Sequence, residues 1–434
     1  MDVIRWDDID WSEPDGTDEI FNFLANELFD HCLSTDFHIF NSSCKWLVNN
    51  KAKAPLQFAI PLYGFLIPCV VFITLITNTF IVVVMSKKHL QTPTNTILVA
   101  MAVTEGLVGL LSLPWMLYYY TFRGYDTEDK MGIHPFWCAS GPVFIRALPT
   151  IFHTAAIWLT VFLAIQRYVY VCMPNLTQNY FSMFRTKVII VVVCVLSTLL
   201  DLPLTLSIYQ YTRPLVNPVN NVTVRFCVYR YSNWVYNIGM NRFHTVYYWV
   251  IAILVHATPC AVLAVFSTLL MLYIQRADQR RKMSLMGRKS NNPRPRSRDS
   301  QCMSYFHATT KMLIVVIVIF LCLEIPAAVI NIFHVYVATV HKTSSQQIYR
   351  TMNIALLFRN CLILLSYPVN FAVYCGMSQQ FRITVRQLFT KETLFVQTPL
   401  PPALNSRGAR YSVMLVHTKK AGERRRGRAQ STIY

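Results

Sequence analysis

Residues 138–171 read CASGPVFIRALPTIFHTAAIWLTVFLAIQRYVYV. A helix rising 1.5 Å per residue crosses an apolar bilayer core of roughly 30 Å in about twenty residues, so this run can span one with length to spare. Six further runs of the same kind lie on either side of it, at 58–85, 93–121, 186–208, 243–274, 308–339 and 348–376. Prolines recur within them: Pro61, Pro68, Pro114, Pro149, Pro203, Pro259, Pro326 and Pro368. These would count against soluble helices. Inside a membrane the freed backbone groups are taken up by neighbouring helices and water, so kinks rather than breaks are expected. The runs predict an all-α membrane protein, a bundle of seven transmembrane helices.

Composition points the same way. Hydrophobic residues make up 54% of the 434 and charged residues only 14%, too little charge to keep a soluble domain dispersed. The formal charge of +19 would suit nucleic acid, but it is segregated. Residues 1–54 hold eleven acids against four bases, 275–311 hold ten bases against two acids, and the tail from Gly376 holds eleven bases against two acids. Lysine and arginine gather on the cytoplasmic flanks of membrane spans, which puts the N-terminus outside, the C-terminus inside, and requires an odd number of spans. The loops alternate accordingly: Lys87, Lys88, Arg185, Lys187 and the stretch Arg276–Arg298 fall on one side, Asp126, Glu128, Asp129 and a long loop around Cys227 on the other. The runs Arg294/Arg296/Arg298 and Arg424–Arg426 therefore read as faces near anionic lipid, with no nucleic-acid partner.

The expected organisation is an acidic extracellular tail (1–54), a seven-span domain (55–376), a short amphipathic eighth helix (377–390) and a basic, unfolded cytoplasmic tail (391–434). Residues 1–30 lack an apolar h-region behind a basic start, so the first span is expected to act as signal anchor. In the eighth helix Phe381, Val385 and Phe389 recur every four residues beside Arg382 and Arg386, a pattern suited to the inner leaflet.

Of twelve cysteines, four fall outside: Cys32, Cys44, Cys138 and Cys227. Cys138 opens the third span and Cys227 sits in the next outer loop, so a bridge between them would pin that loop over the mouth of the bundle. Cys32–Cys44 is then the remaining pairing. Sequons occur at Asn41, Asn175 and Asn221; the topology makes Asn41 and Asn221 usable and leaves Asn175 in the cytoplasm.

Charged groups inside a span are costly and mark function by default. The third span ends in Gln166-Arg167-Tyr168, which resembles the Asp/Glu-Arg-Tyr motif of rhodopsin-like G-protein-coupled receptors, with Gln166 replacing the carboxylate. Met101-Ala102-Val103-Thr104-Glu105 resembles Leu-Ala-x-x-Asp, and Asn78 matches an adjoining asparagine. Phe320 to Pro326 resembles Phe-x-x-Cys-Trp-x-Pro, with Glu324 in the tryptophan's place. Asn370-Phe371-Ala372-Val373-Tyr374 resembles Asn-Pro-x-x-Tyr, with Phe371 in place of proline. The departures taken together are similar to the invertebrate sex peptide and myoinhibitory peptide receptors, over roughly residues 55–385.

That resemblance implies a plasma-membrane receptor, no enzyme and without cofactor, that answers an amidated neuropeptide with tryptophan near its end. It also implies an inhibitory heterotrimeric G protein and arrestin as partners. Gln166, Arg167, Tyr168, Phe320, Pro326, Asn370 and Tyr374 would carry activation. Asn78, Glu105, Glu324 and Asn370 would form an interior polar site able to hold Na+. The two carboxylates, Glu105 and Glu324, are expected to share a proton or a cation, or to stay neutral in packing roles. A peptide needs an aromatic-walled cavity with polar anchors, for which Trp115, Tyr118, Arg146, His153, Trp234, Asn331, His334 and Arg359 are candidates beside ordinary packing roles. The competing reading is an ion or solute transporter, with Glu105, Glu324, His153 and His256 as a path. It lacks the paired repeats that transporters often show.

Overall fold

A computed structural model describes residues 48, 50–173, 180–216, 223–286, 314–315, 317–326, 328–330, 332–333, 335–336, 346–377 and 379–390. Cys32, Cys44, the three sequons, Asn331, His334 and the tail from residue 391 lie outside them, as do the side chains of Asn370 and Tyr374.

Among the described residues, six helices are long and apolar enough to cross a membrane: α1 (Leu56–Met85), α2 (Pro93–Thr121), α3 (Pro135–Cys172), α4 (Met183–Ser207), α5 (Met240–Ala277) and, after an intervening α6, α7 (Arg350–Val373, within Gln346–Met377). The helix α6 (Ile317–Ile330) is shorter over the described residues and falls within the sixth apolar run. A further helix, α8 (Gln379–Thr390), follows α7. Helix starts are set locally. Thr92 Oγ1 accepts from the Asn95 amide at 3.2 Å with Pro93 in the first turn of α2, and Ser182 Oγ accepts from the Arg185 amide at 3.3 Å at α4.

The prolines do not break the helices. Helix continues through Pro114, Pro203 and Pro368, while wide turns of i→i+5 type occur at Ile60–Leu66, Leu117–Thr121, Val143–Ala147 and Ala252–Ala257. Each lies within a few residues of a proline, whose ring clashes with the preceding turn and whose nitrogen donates nothing. Arg146 and His256 sit inside two of these wide turns.

Near Arg167, Ile81 and Val84 of α1, Ile97 and Met101 of α2, Leu159 and Leu163 of α3 and Phe381 of α8 pack into one buried cluster. Phe381 meets the Phe371 ring edge-on at 5.9 Å, which seats α8 against α7. Helix α4 leaves Val191, Val195 and Leu199 exposed, as lipid contact allows.

At the opposite end, where the sequence predicts a long outer loop around Cys227, the chain forms strands. Ile208–Val216 (β1) and Thr223–Tyr231 (β2) form an antiparallel hairpin between α4 and α5. Both strands are rich in aromatic and β-branched residues, which favour extended backbone. Cys227 on β2 is bonded to Cys138 at the start of α3, S–S 1.98 Å. The Val48 amide donates to the Cys227 carbonyl at 2.9 Å, so the segment before α1 also joins the hairpin. Gly132, in the α2–α3 loop, bridges to Arg225 of β2 with φ +78°; a Cβ there would lie 1.8 Å from the Arg225 carbonyl oxygen. Glu128 in that loop accepts from the Tyr119 hydroxyl and from Asn50 Nδ2, the latter at 3.4 Å.

Candidate functional site

Polar residues of the interior collect at three levels. At the Arg167 end, Gln166 is fully buried and Arg167 is 7% exposed. Gln166 Oε1 accepts from Thr94 Oγ1 at 3.2 Å, so an amide bridges α3 to the first turn of α2 where the receptor motif places a carboxylate. Tyr168 packs edge-on against Phe266 of α5 at 5.3 Å. Phe320 lies against a cluster of Val161 and Ala164 of α3, Leu263 of α5 and Ile317 of α6. Pro326 is exposed two residues beyond Glu324.

Mid-bundle, Asn78 and Glu105 are buried on α1 and α2, which pack against each other. Neither side-chain atom of Asn78 has a hydrogen-bond partner among the described residues. Glu324, 2% exposed, lies between two imidazoles. His153 Nε2 of α3 is 3.3 Å from Oε1, and His256 Nδ1 of α5 is 3.9 Å from Oε2. The first contact is off the line of a good hydrogen bond, so it is chiefly electrostatic. On its other side His153 Nδ1 meets the Tyr367 hydroxyl of α7 at 3.1 Å. Arg359 of α7 acts on Glu324 and Tyr367 through its charge. It donates through Nη1 to Asn360 Oδ1 at 3.3 Å, and Asn360 Nδ2 donates to the Tyr63 hydroxyl of α1 at 3.2 Å.

Under the hairpin, Trp115 stacks on Tyr119 with ring centroids 5.0 Å apart, and Tyr118 stacks on Trp137 at 4.7 Å. Trp115 is buried in this aromatic wall while Tyr118 is partly open. Trp234, partly exposed after β2, meets Phe243 of α5 edge-on at 5.1 Å. Arg146 acts electrostatically on Asp201 of α4 and on His244 and Tyr247 of α5. Asp201 is 3% exposed and accepts from Thr205 Oγ1 at 2.7 Å. Above them Tyr231 of β2 lies edge-on to His244 at 5.3 Å, and burial followed by the neighbouring tyrosines pushes its hydroxyl pKa well up.

The model of the seven-transmembrane receptors of the rhodopsin family matches residues 77–374, more than half of the chain. This chain belongs to that family. Among relatives of the receptor, the Sex peptide receptor of Drosophila melanogaster is 34% identical over 344 residues, covering 79% of this chain and 75% of the fly protein. Sex peptide receptor-related protein 2 of Caenorhabditis elegans is 30% identical over 389 residues, covering 84% and 80%. The G-protein coupled receptor dmsr-1 of the same worm is 23% identical over 435 residues, covering 91% and 81%. Like its family, the chain is a multi-pass membrane receptor that signals rather than an enzyme.

Sequence reasoning singled out Glu324, His153 and Arg359 separately; the fold brings His153 and Glu324 into contact and sets Arg359 within electrostatic range. His256 entered only as part of a transport path. Asp201 was missed, although a single acid amid Val-Val-Val-Cys-Val-Leu-Ser-Thr-Leu-Leu is a signal of the same kind as Glu105.

Proposed function

We propose that this receptor sits in the plasma membrane with its N-terminus outside and answers an extracellular peptide, amidated and carrying tryptophan near its end, by activating an inhibitory heterotrimeric G protein. The observation that carries the reading is the 34% identity, across 344 residues, to a receptor named for a peptide. The hairpin end supports it: a ribbon tied by Cys138–Cys227 beside the partly open rings of Tyr118 and Trp137, backed by buried Trp115 and Tyr119, offers stacking partners for aromatic side chains. In this reading Arg146 and Trp234 near the hairpin, and Arg359 and His153 at the level of Glu324, are the polar and aromatic anchors for the peptide.

In this reading Arg167, with Gln166 and Tyr168, meets the G protein, and Phe320, Pro326, Asn370 and Tyr374 relay the movement of α6 and α7. Arrestin is a second cytoplasmic partner, α8 lies on the inner leaflet, and Asn41 and Asn221 carry glycans. Asn78 Oδ1, buried without a partner among the described residues, and the Glu105 carboxylate are hard oxygen donors of the type Na+ accepts. Asn370 would complete that set. Glu324 is engaged by two imidazoles, which narrows the cation site to the other three.

The test is G-protein activation in cells expressing the chain, challenged with a panel of amidated peptides that includes tryptophan-bearing ones. A saturable response, lost in Arg167→Ala at equal surface expression, is expected. Silence across the panel with expression confirmed would refute the ligand class.

A further inference from the structure

Glu324 stands at a junction of four helices. A buried carboxylate is costly unless charge or hydrogen-bond partners replace water, and here they come from every side. His153 of α3 and His256 of α5 face its two oxygens at 3.3 and 3.9 Å. Arg359 of α7 adds its field, and Cys260, one turn beyond His256, lies within the electrostatic reach of the same carboxylate. The arrangement of His153 is directional: when the Tyr367 hydroxyl donates to Nδ1, the ring proton sits on Nε2, the nitrogen turned to Glu324. One imidazole thereby couples α7 to α6 through α3.

The bundle is closed at its other end. Arg167, the residue that would meet a G protein, is 7% exposed, and Phe320, one turn from Glu324, is packed between α3 and α5. Helix shifts of about 1–2 Å are the usual scale of switching in packed helices, and a shift of α6 on that scale parts contacts of 3.3 and 3.9 Å. We propose that Glu324, gripped by His153 and His256, is a latch that holds α6 in this closed arrangement and must release for signalling. These are positioning residues that act on Arg167 through α6. The inference rests on membership of the receptor family and not on the peptide reading.

The experiment uses purified full-length receptor without ligand and a panel of purified heterotrimers from the main G-protein classes, reading nucleotide exchange and, separately, the thermal unfolding midpoint. Glu324→Gln keeps shape and removes charge; His153→Phe keeps a ring and removes the donor. Each is expected to raise ligand-free exchange roughly five- to tenfold, the scale of one lost ordinary polar contact. The double variant should rise no further than the larger single, and His153→Gln, which can place a donor near the Nε2 position, should stay within about twofold of the native rate. Exchange that is unchanged or lowered in the single variants overturns the latch, as do effects that multiply in the double variant or a His153→Gln that behaves like His153→Phe. If no heterotrimer responds to native chain or variants, the melting cycle decides: coupled midpoints with rescue by His153→Gln support the latch, and additive midpoints overturn it.

Discussion

Replacing Gly132 by alanine should cost this receptor more than any other single-methyl addition at its hairpin end. The backbone there has φ +78° and ψ −177°, a region open essentially to glycine alone, and holding a side chain in such a region costs about 1–3 kcal/mol. The new Cβ would also lie 1.8 Å from the Arg225 carbonyl oxygen and 2.7 Å from its nitrogen, where favourable packing begins only near roughly 3.5 Å. Neither atom is a side-chain tip that can turn away, so the α2–α3 loop and β2 must part. Gly239 supplies the control. Its φ is +92°, yet nothing lies within 4 Å of a Cβ built on it, so Gly239→Ala carries the conformational cost alone. Both variants, purified in detergent, would be compared by thermal unfolding followed with a thiol- or tryptophan-based signal, and by surface expression in cells. Gly132→Ala should lower the midpoint clearly more than Gly239→Ala and reduce the expressed fraction. Equal midpoints for the two would refute the close approach of loop and strand on which the estimate depends.

Other perturbations follow from the same contacts. Glu128→Ala and Tyr119→Phe remove opposite sides of one bond, so a stability cycle should show each costing about 1–3 kcal/mol and the pair little more than one alone. Cys138→Ser, Cys227→Ser and the double variant should lose surface expression and ligand response to the same extent, since each breaks the same bridge. Phe381→Ala, which empties a fully buried site between α1, α2 and α7, should cost about 3–5 kcal/mol in a melting assay while leaving the hairpin end intact. Burial keeps the Tyr231 hydroxyl protonated above its ordinary value, so the folded chain binds that proton more tightly than the unfolded one. Stability that is full below about pH 10 should then fall as pH rises further, and Tyr231→Phe should remove that part of the alkaline loss in a pH-dependent melting series.

The seven runs were legible because twenty apolar residues in a row have few other uses, and helix ends at Thr92 and Ser182 agree with the runs to within a few residues. The hairpin was not. Residues 217–222, between its strands, contain neither Asn-Gly nor Asp-Gly, and the strands mix tyrosine with arginine. Glu324 and His153 could be picked out singly as polar groups in apolar surroundings, but their meeting depends on how far each helix is rotated. Four wide turns alter that rotation, and His256 lies within one of them, so a strict 3.6-residue period does not fix its face. Asp201 shows the reverse case: the signal was present, and only its partners Thr205 and Arg146, supplied by the fold, reveal that it is used.

The wide turn at Ala252–Ala257 has a consequence for how this chain is compared with its relatives. Such a turn holds one residue more than the α-helix around it, so it amounts to a one-residue insertion already absorbed by α5. A relative lacking that residue would have everything on the hairpin side of the turn rotated by about 100° relative to the Arg167 side. Ungapped alignment through α5 would then equate residues facing lipid in one receptor with residues facing the interior in the other. The same holds for α3 at Val143–Ala147, where Arg146 and Cys138 lie at or beyond the turn and Arg167 lies before it from the opposite end. Insertions and deletions inside these spans are therefore a route by which related receptors can exchange the lining of the mouth while keeping the motifs at the other end in register.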